Sequence, residues 1–168
     1  AGRPLTSDPR TLHHAIVVQA EVCADLGSRM YAEVLARVAD DLAAGGVSEP
    51  LLTPYAEAGV ADAVPLRLMG SVHRLVLERR AGALATFYPS VGGRWEPGAG
   101  WQAFRQLLEA EPSAVAQWLD RPPQTNEVGR SAALMGGLLS LPDDVRLPLR
   151  LYEIGSSAGL NLLVDHFT

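Results

Sequence analysis

The sequence predicts a mainly α-helical protein that finishes with one β-strand, a glycine turn and a helix. Apolar residues recur at spacings of three and four over most of residues 11–145, and glycines and prolines separate the runs. The segment L-R-L-Y-E-I-G-S-S-A-G-L-N-L-L-V-D-H-F, residues 149–167, instead has the pattern of a strand that enters a helix through a glycine turn. We therefore expect a disordered arm over residues 1–10, a helical domain over residues 11–145 and the first β-α unit of another domain over residues 146–168.

The first two predicted helices form a hairpin. The first begins near Thr11 and ends at Gly27, where a left-handed cap fits, and the second begins after Ser28 as a capping residue and stops at Gly45 and Gly46. Their predicted apolar faces comprise Ile16, Val17, Ala20, Cys23 and Ala24, and then Met30, Tyr31, Val34, Leu35, Val38 and Leu42.

Two more helices follow. One is short, over residues 49–58, and the other, over residues 63–80 with Pro65 near its start, has the clearer helical pattern. The predicted apolar face of the longer helix comprises Leu66, Met69, Val72, His73, Val76 and Leu77. One further helical turn is expected over residues 84–88. Two prolines and four glycines in residues 89–100 then predict a loop.

The helical period resumes at Trp101 and again after Pro112. A double proline keeps residues 121–124 extended, and Asn126 is expected to cap the helix that precedes the strand and runs to residue 139. The strand is then expected over residues 147–154.

Composition excludes several classes of protein. All 14 basic residues are arginine, they are scattered among carboxylates, and the net charge is -5, so we expect no nucleic-acid partner. The longest strongly apolar stretch, residues 132–141, is shorter than the roughly 20 residues that a membrane span requires. The first residues lack the apolar core of a signal peptide and the chain has one cysteine, which together predict a cytoplasmic protein.

The turn E-I-G-S-S-A-G supports two interpretations. In the first, Glu153 ends the strand, while Gly155 and Gly159 let the main chain approach a ligand at the start of the next helix. This pattern resembles the first motif of class I S-adenosylmethionine-dependent methyltransferases, an acidic residue followed by G-x-G-x-G, with Ser157 in place of the middle glycine. The resemblance implies a Rossmann-like fold and S-adenosylmethionine as cofactor, with its amino-acid end near Glu153 and its body against Gly155, Ser157 and Gly159.

In the second interpretation, Gly155, Ser157 and Gly159 form the G-x-S-x-G elbow of an α/β-hydrolase, with Ser157 as nucleophile. Such a serine needs an acid and a histidine later in the chain, and only Asp165 and His166 follow it. Both lie directly after the elbow, where they cannot fold back as a triad. We favour the methyltransferase interpretation, and a purely structural glycine turn is the other alternative.

Four blocks resemble an uncharacterised bacterial family, a domain of unknown function. They are A-D-L-G-S-R-M-Y from Ala24, L-R-L-M-G-S-V-H-R-L-V-L-E from Leu66, P-Q-T-N-E-V-G-R from Pro123 and L-Y-E-I-G-S-S-A-G-L-N-L from Leu151. The resemblance implies that this chain is the N-terminal part of a protein about twice as long, whose second half is a methyltransferase-like Rossmann domain.

Asn126 and Arg130 are the other predicted cofactor-binding residues. A cation in the first turn of a helix opposes the helix dipole unless a carboxylate or an anionic ligand pairs with it. The spacing of four residues would place both side chains on one helix face, beside the cofactor site. The simpler alternative is a helix cap with an acidic first turn.

His73 lies on an apolar helix face, so we expect a hydrogen-bonded core histidine rather than a general base. One cysteine, without His-x-x-x-His or Cys-x-x-Cys spacing, predicts no metal site.

The sequence thus predicts a methyltransferase-like parent protein, with an α/β-hydrolase or a non-catalytic helical interaction module as alternatives. The 168-residue chain alone is expected to be inactive. The acidic residue that would bind the ribose is expected about 20 residues beyond the turn, and that position lies past Thr168. The strand has no predicted neighbour, so self-association through its edge or through the helical surface is also expected.

Overall fold

Helices form the regular structure of residues 11–123, 128–142, 148–156 and 159–166, which the computed structural model describes. The chain divides into two units, Ala1–Pro123 and Gln124–Thr168. The predicted domain boundary after residue 145 stays a prediction. The arm expected over residues 1–10 lies outside the described residues. No described helix combines the length and the apolar character that crossing a membrane would take.

The predicted hairpin is confirmed. Helix α1 spans Leu12–Asp25 and α2 spans Arg29–Ala43. Between them Gly27 has a left-handed φ of 81°, and the Ser28 amide donates to the Cys23 carbonyl at 2.8 Å, which closes the end of α1. The predicted face of α2 is buried at its centre, since Val34, Leu35 and Val38 are fully enclosed.

Helix α3 is shorter than predicted. It covers only Glu49–Leu52 and continues as a single 3₁₀ turn over Thr53–Tyr55. Its start is held by α2, because Asp41 accepts hydrogen bonds from the Ser48 amide and hydroxyl at 2.8 and 2.7 Å. Asp41 of α2 therefore anchors Ser48, the residue that directly precedes α3.

Helix α4 spans Val64–Leu77, inside the predicted range. Its buried face is rotated relative to the predicted one, because Leu68 and Leu75 are enclosed whereas Leu77 is 59% exposed. The next turn forms as a 3₁₀ helix over Gly82–Phe87.

The loop predicted over residues 89–100 is partly wrong. A 3₁₀ turn covers Pro89–Val91, and α5 already begins at Pro97 and runs over Pro97–Ala110. Proline suits the first helical position because its missing amide would have no partner there. The first turn of α5 tolerates glycine because the ring of Trp95 packs directly over Gly100.

Helix α6 spans Pro112–Leu119 and is joined to α4 by polar contacts. Three α4 side chains donate to main-chain oxygens of α6: Arg67 to Leu119 at 3.2 Å, Ser71 to Val115 at 2.8 Å and Arg74 to Ala114 at 3.2 Å. The ring of Trp118 also contacts the guanidinium groups of Arg74 and Arg121, at 4.9 and 4.7 Å from its centroid. The large buried core of the described residues runs from Leu12 to Leu119, within the first unit.

The second unit contains α7 over Arg130–Leu139 and a 3₁₀ segment over Leu160–His166, which loses helical geometry at Leu163. The expected strand is not formed in the described residues, where residues 148–153 have no regular structure. A strand is defined by hydrogen bonds to a neighbouring strand, and the described part of the chain offers no such neighbour.

Candidate functional site

The candidate site lies in the second unit, around the glycine turn that follows Glu153. Gly155 and Gly159 have left-handed φ values of 70° and 72°, a conformation that strains most other residues. A Cβ at Gly155 would meet no heavy atom within 4 Å, so its backbone conformation rather than crowding favours glycine. The left-handed φ values thus explain why glycine occupies both positions.

A buried hydrogen-bond network holds Glu153. The Asn161 amide nitrogen donates to Glu153 Oε1 at 3.1 Å, and Ser131 Oγ donates to Asn161 Oδ1 at 3.1 Å. Ser131 and Asn161 are 4% and 3% exposed, respectively. We name these three residues the Ser131–Asn161–Glu153 network. It connects α7, the glycine turn and the 3₁₀ segment of this unit.

The second carboxylate oxygen of Glu153 is buried and has no hydrogen-bond partner among the described residues. Leaving a buried polar atom unpaired costs about 1–3 kcal/mol, and more when the atom carries charge. Such atoms are rare in native proteins, because burial removes the water that would otherwise bind them. This oxygen can therefore accept from a donor other than the described residues.

A cavity of about 440 Å³ adjoins Glu153. Arg130 and Glu153 supply opposite charges to its wall, Asn161 and Tyr152 add polar atoms, and the remainder is aliphatic. The aliphatic lining consists of Ala133, Leu134, Leu151 and Leu162. Ligand sites typically measure about 300–1,000 Å³ and combine an apolar wall with a few polar groups, so this cavity has the size and chemistry of a small-molecule site.

Arg130 and Glu153, both predicted from the sequence, therefore line one cavity. Asn126 and Ser157 lie outside the described residues. Helix α7 begins at Arg130 after a turn at residues 128–129, later than the helix start expected at Asn126. The expectation that Asn126 and Arg130 share one helix face stays a prediction.

The sequence analysis missed Asn161 and Ser131. The available signal was the single polar residue in the apolar run G-L-N-L-L-V, because an amide buried on such a segment needs hydrogen-bond partners. Which partners it finds depends on how α7 packs, and local sequence does not show that.

His73 belongs to a separate cluster in the first unit. Its Nδ1 lies 3.1 Å from Tyr31 Oη and its Nε2 lies 2.7 Å from Ser90 Oγ. Burial lowers the pKa of His73, and burial followed by the nearby Cys23 raises the pKa of Tyr31. Both ring nitrogens have partners, which is the arrangement of a hydrogen-bonded structural histidine.

Within the described residues, His, Cys, Asp and Glu side chains form no group of three or more that could hold a metal ion.

The described residues define a mainly helical protein with a cavity of about 440 Å³ beside a glycine turn. The chain belongs to the family described as "Uncharacterized protein conserved in bacteria (DUF2332)", whose model matches residues 13–168. This confirms the uncharacterised bacterial family expected from the four sequence blocks. No curated protein and no solved structure matches the chain.

Proposed function

We propose that the chain carries the first cofactor-binding elements of an S-adenosylmethionine-dependent methyltransferase of class I. The observation that carries this proposal is the hydrogen bonding of the two carboxylate oxygens of Glu153. Asn161 holds one oxygen of its carboxylate, and the other is buried, without a partner among the described residues, on the glutamate that lines the 440 Å³ cavity. An acidic residue placed this way before a glycine turn suits the ammonium group of an amino-acid-like cofactor.

The two charged residues of the cavity match the two charges of that end of the cofactor. Glu153 would accept from the ammonium group, and the guanidinium of Arg130 would donate to the carboxylate. A bound cofactor would cover the aliphatic side chains of the wall, and the displacement of water from them would strengthen both contacts. When bound, the cofactor supplies an electrophilic methyl group.

The remaining predicted contacts complete the proposal. Gly155 and Gly159 give the main chain its left-handed turn, and Ser157 takes the place of the middle glycine of the motif. We expect Asn126, from the segment before α7, to border the pocket. In a Rossmann-like domain, residues 147–154 would pair as a strand with neighbouring strands of the sheet.

Isothermal titration calorimetry of the longest natural protein that contains this sequence, with S-adenosylmethionine and with its demethylated product, tests the proposal. We expect saturable heat with both ligands, and Glu153→Gln should weaken binding by about tenfold or more, because it removes a charge-assisted hydrogen bond. Glu21→Gln, which changes an exposed carboxylate on α1, is the matched control and should bind as the unmodified protein does. Absence of both heat and thermal shift with either ligand would overturn the proposal.

The hydrolase alternative is tested separately with a serine-reactive fluorophosphonate probe. It rests on the G-x-S-x-G spacing of Gly155, Ser157 and Gly159. His166 is exposed on the 3₁₀ segment directly after the turn, and the side chain of Asp165 lies outside the described part. Labelling that disappears in Ser157→Ala would favour a hydrolase over our proposal. Labelling that survives this substitution would exclude Ser157 as the nucleophile.

A further inference from the structure

We propose that Asn161 is a positioning residue for the cofactor contact of Glu153 and that Ser131 sets the orientation of the Asn161 amide. This inference rests on the proposed function, and it adds two residues that the glycine motif does not contain. Its basis is the chain of two hydrogen bonds, each 3.1 Å long, that runs from Ser131 Oγ through the Asn161 amide to Glu153 Oε1.

Glu153 and Ser131 together determine which way the Asn161 amide points. A glutamate carboxylate only accepts hydrogen bonds, so the NH₂ group of Asn161 must be the part that faces Glu153. The amide oxygen then faces Ser131, whose hydroxyl can donate to it. The reverse orientation would set the amide oxygen against a carboxylate oxygen, with no proton between them. The network is therefore satisfied in one orientation.

The two carboxylate oxygens of Glu153 have different hydrogen-bonding roles in this network. Oε1 is occupied by a protein donor, whereas Oε2 is buried without a partner among the described residues. Asn161 is only 3% exposed, so water cannot replace Glu153 as its hydrogen-bond partner unless the surrounding segment moves. Asn161 thus fixes the rotation of the carboxylate and leaves Oε2 as the oxygen for a ligand donor.

A purely structural role for the network predicts a different result from a positioning role. Ser131 is the second residue of α7 and Asn161 belongs to the 3₁₀ segment, so the same bonds also join these two elements. If they only join elements, Ser131→Ala should weaken cofactor binding by the same factor whichever residue stands at position 153. If they position Glu153, the effect of Ser131→Ala should require the glutamate.

A double-mutant cycle on S-adenosylmethionine affinity separates the two roles. We expect Ser131→Ala to weaken binding about three- to tenfold alone and to have no further effect in the Glu153→Gln background. Ser131→Thr keeps the hydroxyl and should restore the affinity of the unmodified protein. Equal effects of Ser131→Ala in both backgrounds, or failure of threonine to restore affinity, would overturn the positioning role.

A measurement without cofactor separates failure of this inference from failure of the proposed function. The side-chain amide of Asn161 should show slowed hydrogen exchange by NMR in the unmodified protein, and Ser131→Ala should remove that protection. An unprotected amide in the unmodified protein overturns the network itself. A protected amide in a protein that does not bind S-adenosylmethionine overturns the proposed function and leaves the contact between Asn161 and Glu153 in place.

Discussion

Gly100 is constrained by one side chain, the indole of Trp95. A Cβ on Gly100 would lie 2.5 Å from Trp95 Cζ3, and the ring cannot easily withdraw because its Nε1 donates to Glu33 Oε2 at 2.8 Å. We expect Gly100→Ala to lower the free energy of unfolding by about 1–3 kcal/mol, the usual cost of overpacking.

Gly98→Ala is the matched control for this substitution, since it lies in the same first turn of α5 and its Cβ would meet no heavy atom within 4 Å. It should leave stability unchanged or raise it by about 0.4–1 kcal/mol. Denaturant unfolding followed by circular dichroism measures both variants. Equal stability of the two would contradict the packing of Trp95 over Gly100.

Two tyrosines beside His73 are expected to respond in opposite ways to loss of their hydroxyl groups. Tyr88 is 1% exposed, its ring lies 5.2 Å from that of His73, and its hydroxyl oxygen has no partner among the described residues. Tyr31 Oη instead contacts His73 Nδ1 at 3.1 Å. Tyr88→Phe should therefore stabilise the protein or leave it unchanged, whereas Tyr31→Phe should cost about 1 kcal/mol.

Thermal unfolding of the two phenylalanine variants under identical conditions checks this prediction. A loss of stability in Tyr88→Phe as large as that in Tyr31→Phe would show that the Tyr88 hydroxyl does have a partner.

At the scale of single residues, the sequence predicted Arg130 and Glu153 as members of one site. An acidic residue before a glycine turn and a cation in the first turn of a helix both favour a charged ligand. The sequence did not predict Asn161, whose role depends on hydrogen bonds to residues 30 and 8 positions away in the chain. Local pattern indicates which residues are unusual, and tertiary packing decides which of them meet.

Arg79, just after the end of α4, has a strained backbone conformation. After the helix ends at Leu77, Arg79 has a φ of 60°, and the Arg79 and Arg80 amides donate to the carbonyls of Val76 and Leu75. This is the helix-ending pattern in which glycine is usual, because the left-handed conformation costs other residues about 1–2 kcal/mol.

Arg79→Gly should consequently raise the free energy of unfolding by about 1 kcal/mol relative to Arg79→Ala. Alanine is the matched control because it also removes the guanidinium but retains the Cβ that causes the strain. Chemical denaturation of the two variants gives the difference directly. If alanine were as stable as glycine, Arg79 would not be left-handed in solution.

Among the helices, prediction succeeded where glycines mark an end, as at Gly27 and Gly45, both of which have left-handed φ values. It failed over residues 89–100, whose glycine and proline content is typical of a loop although α5 begins at Pro97. The reason is that the ring of Trp95 leaves no room for a Cβ at Gly100, so this position inside α5 favours glycine. Local pattern alone could not establish whether residues 147–154 pair as a strand, because pairing depends on a neighbour distant in sequence.

At the scale of the whole molecule, the first unit contains the large buried core of the described residues. A chain of residues 1–123 should therefore fold by itself, with helical circular dichroism and a single cooperative thermal transition. A broad, non-cooperative transition would show that the second unit is needed to complete that core.

The second unit is expected to drive self-association. Tyr152 and Ile154 are 80% and 102% exposed, on a segment whose strand pairing is not formed in the described residues. Exposed apolar residues beside unpaired main chain favour pairing with another copy. Light scattering should show a larger mass than the monomer for the 168-residue chain, and a monomer for residues 1–123. Monomers in both samples would contradict the prediction.

The positions of the tryptophans have a practical consequence for spectroscopy. All three, Trp95, Trp101 and Trp118, belong to the first unit, and Trp95 and Trp118 are held there by Glu33 and by two arginines. Tryptophan emission is thus a built-in reporter of that unit, whereas tyrosine emission is not specific to either unit, since Tyr31, Tyr55 and Tyr88 lie in the first unit and Tyr152 in the second. Following tryptophan emission during a denaturant titration would therefore report the unfolding of the first unit without any added label.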